Sequence, residues 1–243
     1  MKFLILAKRT LKEILRDPLN LAFGLGFPLV VLGLLSAIQA NVPVDLFRID
    51  TLAPGVTVFG LSFMTLFSAL LISKDRTSAL LLRLYTTPLR PGDYILGYLL
   101  PMVPIALAQT AICYLFGMVL GLRWTVRILL CLALSLPGAM VFISLGLLCG
   151  SLLNDKQVGG VCGAVLTNLS AWLSGIWFDV KLVGGAFQRI AELLPFYHAV
   201  ELQRAAYGGN YADIPPHLWW VLGYAVVLTA LSVWAFLHQM RKN

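Results

Sequence analysis

Two arginines seven residues apart, Arg76 and Arg83, stand on one polar side of a segment whose other side carries Leu81, Leu82, Leu84 and Tyr85. That spacing predicts a basic amphipathic helix over 74–87. Pro88 ends it, because proline disfavours helical geometry at Thr87 and removes a donor. Pro91-Gly92 makes a turn, and Asp93 is placed to cap the next helix. Long apolar runs flank the segment. Such a helix either carries force between a membrane bundle and a soluble partner or is a solvated connection; the stretch alone leaves both open. Other reactive constellations are missing. No HExxH, no GxSxG and no paired carboxylates occur within an apolar run, so no catalytic residue is assigned and the chain reads as a non-enzyme. No lysine follows a glycine, which rules out a P-loop, so any uphill work draws its energy from another chain. The four cysteines (113, 131, 149 and 162) all lie inside apolar runs without ligand spacing, and no metal site is expected. His198 reads as a loop residue, and His217 and His238 as interfacial ones.

The elements that position these residues follow from hydropathy. The chain has 243 residues, 59% hydrophobic and 12% charged, about half the charged share of a soluble domain. Uncharged or nearly uncharged runs over 19–40, 54–73, 94–121, 128–153, 157–178 and 217–237 are each long enough to cross a hydrocarbon core of about 30 Å. The expected fold is an all-α polytopic membrane protein of six transmembrane helices, one domain over 1–243. Residues 1–17 form an amphipathic helix, with Phe3, Leu6, Ala7, Leu11, Ile14 and Leu15 on one side. Lys2, Lys8, Arg9, Lys12 and Arg16 supply the other side, which suits anionic headgroups while the apolar side faces the bilayer. Residues 180–194 are apolar but too short to cross and suit a re-entrant or surface-lying pair of helices.

Cation placement orients the chain. With six spans the termini share a side with Lys74, Arg76, Arg83, Arg90 and Lys156. The opposite side keeps Arg48, Arg123, Arg127, Lys181, Arg189 and Arg204. The positive-inside rule then puts both termini and the 74–93 loop in the cytoplasm, in a cell (cytoplasmic) membrane. The net charge of +7 is accounted for by that asymmetry, so no nucleic-acid partner is invoked. Ionisable groups are nearly absent from the spans, which counts against a proton- or ion-coupled carrier. Pairs of glycines at 117/121, 146/150 and 159/163 permit close helix approach. Thr65 and Asn168 are the span polar groups best suited to face a substrate path. Phe59, Phe63, Phe67 and Trp172 near spans two and five hint at a hydrophobic or amphiphilic cargo.

In their order the parts resemble the type 2 ABC exporter permeases over nearly the whole chain. A basic helix ends in Arg16-Asp17-Pro18. A loop helix ends in Leu84-Tyr85-Thr86-Thr87-Pro88-Leu89. A half-inserted segment precedes Leu194-Pro195-Phe196-Tyr197-His198-Ala199-Val200 and a Gly-Gly pair before span six. The resemblance implies a permease dimer, identical or homologous, pairing through spans one, two and five. Two cytoplasmic ABC ATPase subunits would carry ATP and Mg; this chain would hold no cofactor. A connecting helix (Lys8, Arg9, Lys12, Arg16) and a coupling helix (Asp75, Arg76, Leu80, Arg83, Leu84, Thr86, Thr87, Pro88) would rest on them. The family's cargoes are drugs, antibiotics, lipids, glycolipids and polysaccharides. Many members carry a Gly-Thr pair at the start of the coupling helix, whereas Lys74-Asp75-Arg76-Thr77-Ser78 has no glycine. A non-transporting assembly or sensor subunit and a stand-alone secondary carrier are the rival readings.

Overall fold

The computed structural model describes residues 2–43, 45–77 and 91–242, and among these every regular element is helical. Helix α1 spans Lys2–Leu15. After Asp17, whose carboxylate caps Asn20 N–H at 3.2 Å, a composite helix α2 covers Pro18–Asn41 and includes a π-helical stretch, Ala22–Gly26. Then come α3 (Ile49–Thr77), α4 (Pro91–Val119) and α5 (Arg127–Leu152). Three consecutive pieces, Asp155–Val158, Gly159–Leu166 and Thr167–Leu173, make α6. Short helices α7 (Val180–Val183), α8 (Gly185–Leu193) and α9 (Pro195–Gly208) lead to α10 (Ile214–Lys242).

Five of these helices, α2, α3, α4, α5 and α10, are long and apolar enough to cross a membrane, and the chain is a multi-pass membrane protein. Helix α6, expected as the fifth span, is helical but not among them. Asp155, Lys156 and Gln157 at its start, and Thr167, Asn168 and Ser170 farther on, lower its hydropathy. Pro101 and Pro104 lie inside α4 and Pro137 inside α5. The 180–194 segment is the expected pair of short helices, with an apolar side on α8.

The bundle is built around α3. Of its most apolar stretch 89% is buried, against 17% for α2. The deepest contact is with α5. A Cβ at Gly146 would stand 2.3 Å from the Thr65 carbonyl oxygen, and one at Gly150 would stand 2.5 Å from that of Ala69. The two backbones therefore touch where glycine is required, and the 146/150 pair is an interface within the chain. A hydroxyl exploits the approach: Thr65 Oγ1 donates to the Phe142 carbonyl at 2.9 Å, while Ser68 Oγ donates within α3 to the Met64 carbonyl at 2.6 Å and lies 3.2 Å from that of Ile143. In apolar surroundings such bonds are worth about 0.6 kcal/mol each and fix register as much as they stabilise. At the end of the bundle where α3 begins, Tyr114 OH donates to Gln203 Oε1 at 3.0 Å, and Gln203 Nε2 to the Cys131 carbonyl at 3.0 Å, tying α4, α9 and α5 together.

The glycine contact makes a direct prediction. Gly150→Ala forces α3 and α5 apart and should cost about 1–3 kcal/mol. Gly223→Ala, where nothing lies within 4 Å, should be neutral or gain up to about 1 kcal/mol of helix propensity. Thermal unfolding of both variants in one detergent checks the contrast; equal melting would refute the close-approach role.

Candidate functional site

The site forms where α1, the last turn of α3 and the first turns of α4 meet, on either side of residues 78–90. Helix α1 has one apolar stripe, and Leu6, Ala7, Thr10 and Ile14 on it are buried. Leu6 seats on Gly97 of α4, where any side chain would collide with it at 2.5 Å. The stripe thus faces α4, which corrects the expectation that it faces the bilayer. Leu4, Ile5 and Leu15 remain exposed beside Lys8, Lys12 and Arg16.

Seating α1 this way aims Arg9 at α3. Its guanidinium makes a two-pronged contact with Asp75, Nη1 to Oδ2 at 2.5 Å and Nη2 to Oδ1 at 2.7 Å. Asp75 is 1% exposed and also accepts from the Tyr98 hydroxyl at 2.6 Å. The same Arg9 reaches Glu13 at 2.7 Å. The hydrogen bond to Asp75 holds the Arg9 pKa above its ordinary value, more than offsetting burial. Burial raises the Glu13 carboxyl, partly offset by Arg9. A planar guanidinium suits this geometry because it bonds a carboxylate with two parallel N–H groups. Next to it, Lys74 lies 3.8 Å from Asp17, at the elbow between α1 and α2. Arg76 turns the other way and donates to the carbonyls of Gly150, at 3.2 Å, and Ser151. Those groups belong to the unpaired last turn of α5, so Arg76 caps that helix.

Three expectations change here. Lys74–Thr77 is the last turn of α3 rather than the start of a separate helix, because no glycine or proline intervenes between Gly60 and Pro88. At 1.5 Å per residue its 29 residues run roughly 43 Å, more than a hydrocarbon core of about 30 Å, so the turn emerges from the bilayer. The Asp75 carboxylate and the Arg76 guanidinium, assigned to contact a soluble partner, are engaged inside this chain. Of the cations assigned to the connecting helix, Arg9 is engaged likewise, while Lys8, Lys12 and Arg16 are exposed. Leu80, Arg83, Leu84, Thr86, Thr87 and Pro88 lie outside the described residues. Tyr98 and Glu13 were missed: an acid at the end of an uncharged run calls for a cation, but nothing local names a partner 66 residues away.

The residues assigned to a substrate path fall into two groups. Phe59, Phe63 and Phe67 are buried. The first two pack at 5.6 Å from one another and at 6.1 and 5.9 Å from Phe27 of α2. Thr65 is committed to α5. Asn168 and Trp172 lie on the exposed side of α6, where Asn168 Nδ2 bonds its own helix at Ala164 O, 2.7 Å away, and Trp172 leans on Phe178.

A family model described as ABC-2 type transporter matches residues 1–207. The chain belongs to the ABC-2 type transporter family. It is therefore a membrane permease subunit of an ABC transporter, a family that works with ATPase partners at the membrane. No curated protein matches the chain. Membership gives the Arg9–Asp75–Tyr98 cluster a context: the permease fixes its N-terminal helix to two membrane helices through one buried carboxylate.

Removing Arg9 leaves a charge in a nearly closed site, which costs about 3–5 kcal/mol when burial is complete. Because Arg9 is itself 37% exposed, Arg9→Met should cost less, about 2–3 kcal/mol. Asp75→Leu added to Arg9→Met should return part of it. Melting temperatures of the two single variants and the double variant measure the coupling; strict additivity would show that the pair does not act as a unit.

Proposed function

We propose that the chain is the membrane half of an ATP-driven exporter, crossing the membrane six times with both termini in the cytoplasm. Helix α6 would add the remaining crossing, the fifth in order: its pieces of 4, 8 and 7 residues run roughly 28 Å end to end, close to the hydrocarbon thickness. Two such permeases, identical or homologous, would pair through α2 and α6, which keep apolar faces exposed. Helix α2 exposes Leu19, Phe23, Val30 and Leu34, and α6 exposes Val161, Val165, Asn168 and Leu169. The exposed amide of Asn168 favours this, since a polar group is better placed against a second protein surface than against lipid. Helix α3 is too enclosed to offer much to a partner, so the pairing is drawn on α2 and α6 rather than on three spans.

Each permease would rest on a cytoplasmic ATPase that binds ATP and Mg. The carrying observation is the placement of the Arg9–Asp75–Tyr98 cluster and the Arg76 cap on the two helices, α3 and α4, that flank residues 78–90 in sequence. A push on the ends of α3 and α4 would reach α1 and α5 through short, directional bonds. The exposed cations Lys8 and Lys12 of α1, Arg16 just after it, and Arg83 would face the ATPase. Cargo would pass between the two permeases, and the apolar exposed faces favour a hydrophobic or amphiphilic molecule such as a drug, antibiotic, lipid or glycolipid. The chain itself would perform no catalysis.

The test is a gentle-detergent purification of the tagged chain expressed with its neighbouring genes. An equimolar soluble P-loop ATPase should accompany the native chain and be lost from Arg83→Glu, while insertion and melting stay unchanged. Arg83 is chosen over Arg76, whose substitution would also uncap α5. Recovery of the chain alone, fully folded and active in transport, would overturn the reading.

A further inference from the structure

We propose that the polar cavity between the start of α3, the α4–α5 turn, the end of α9 and the start of α10 binds a phosphate group that carries an ammonium, the chemistry of a phosphoethanolamine headgroup. The proposal stands independently of the transport reading. The cavity measures about 490 Å³, within the range of small-ligand pockets. None of its lining comes from α2 or α6, so it is separate from the surfaces assigned to a second permease.

One wall is basic, and Tyr207 in the last turn of α9 holds both of its arginines. The Tyr207 hydroxyl donates to the Arg123 carbonyl at 3.0 Å and fixes the α4–α5 turn. Its own carbonyl, at 3.3 Å, and that of Gly208, at 2.9 Å, accept from Arg127 Nη1. The Tyr207 ring is buried and stacks on Tyr114 at 6.3 Å and 27°. The Arg127 guanidinium lies on the turn that ends α9. Gly209 has φ +82° there, and a Cβ on it would stand 2.7 Å from Arg127 Cζ. Glycine is thus required twice, for the backbone and for the guanidinium. Among the described residues neither Arg123 nor Arg127 makes an ion pair.

The carboxylates on the lining differ in what they have left to bind. Glu201 is paired with Arg204 at 2.8 Å, and Arg204 also donates to the carbonyls of Thr51 and Gly175 at 3.3 and 3.0 Å. Asp50 is paired with Arg48 at 2.8 Å. Both pairs neutralise themselves. Asp213, exposed just before α10, has no cation among the described residues. His217 beside it is tied to α9 through one ring nitrogen, its Nδ1 lying 2.8 Å from that of His198.

Uncommitted charge in the cavity is therefore of both signs, two guanidiniums and one carboxylate. A simple anion would meet Asp213, and a simple cation would meet the arginines; an amino phosphate satisfies both. Phosphate suits Arg123 and Arg127 because a guanidinium plane bonds two oxygens at once. An ammonium, with three donors, suits Asp213. Such a group reaches the cavity either on a membrane lipid or as a soluble phosphoester. Trp219 and Trp220, exposed on the first turns of α10, are residues typical of the depth at which headgroups lie.

The test uses the whole chain, purified in detergent and stripped of lipid. Phosphatidylethanolamine, phosphatidylglycerol, soluble phosphoethanolamine and inorganic phosphate are titrated separately, read by melting temperature and native mass spectrometry. The amine-bearing probes should bind saturably and more tightly than their amine-free counterparts. Saturation by phosphoethanolamine supports the site with a soluble source, and saturation by phosphatidylethanolamine alone supports it with a lipid source. Arg123→Gln removes a side chain that bonds nothing within the chain, and it should weaken binding about tenfold, the loss of one charged hydrogen bond. Asp213→Asn should abolish the preference for the amine and leave phosphate binding in place. Unchanged affinity in Arg123→Gln, an unchanged preference in Asp213→Asn, or no saturable binding of any probe would overturn the site. Equal affinity of the native chain for phosphate and phosphoethanolamine would overturn the zwitterionic assignment. Should Arg123→Gln fail to fold, Arg123→Lys decides: it keeps the charge without the planar fork, and an affinity equal to that of the native chain counts against the site.

Discussion

The close approach of α3 and α5 is the constraint from which the rest of the bundle follows. Between lipid-soluble helices the hydrophobic effect offers little, so association depends on contact distance and on hydrogen bonds. Gly146 and Gly150 allow backbone contact, and Thr65 turns that contact into a directed bond. Once α3 is fixed by α5, it becomes the helix that the others surround, with α4, α9 and α2 taking the remaining sides. Its position also sets where its charged end emerges, and therefore where Asp75 must find a cation.

That emergence explains the form of the Asp75 site. A carboxylate buried at a helix end is tolerable only if its oxygens are satisfied. Arg9 and Tyr98 satisfy them from two different elements. The consequence is mechanical as well as electrostatic, because one charge holds three segments that are distant in sequence. Arg76, one residue on, points to α5 instead, so two adjacent residues at the end of one helix bind different neighbours. The helix therefore cannot turn about its axis without breaking one set of bonds or the other.

Much of this was legible in the sequence, and the limits have physical causes. The apolar runs, the amphipathic character of α1 and the short helices after α6 follow from periodicity and breakers. The end of α3 did not, because a charged turn reads the same whether it continues a helix or starts one. The partner face of α1 was also hidden: an apolar stripe does not record whether lipid or a neighbouring helix covers it, and only Gly97 beneath Leu6 decides between them. Asp75 could be seen to need a cation, but the five basic residues in 2–16 were equal candidates until tertiary packing aimed one. His198 and His217, nineteen residues apart, read separately as a loop and an interfacial residue because nothing local brings them together.

The distribution of bonds divides the molecule into a stiff part and a looser one. At the end of the bundle next to residues 78–90, Arg9, Tyr98 and Arg76 connect α1, α3, α4 and α5. At the opposite end, Arg204 bonds the carbonyls of Thr51 and Gly175, and Arg127 reaches that of Gly208 at 2.9 Å. Polar contacts at both ends and glycine packing between them make α3, α4, α5 and α9 one body. Helix α2 meets that body mainly through apolar and aromatic contacts and joins α1 at the Asp17-Pro18 elbow, while a π-helical stretch interrupts it at 22–26. Helix α6 contains another such stretch at 159–166. Stretches of this kind leave backbone bonds less regular and are frequent where function requires a helix to adjust. Both helices with irregular backbones thus also keep apolar faces exposed. The irregular backbones thus fall on helices that the polar contacts at the two ends of the bundle do not reach.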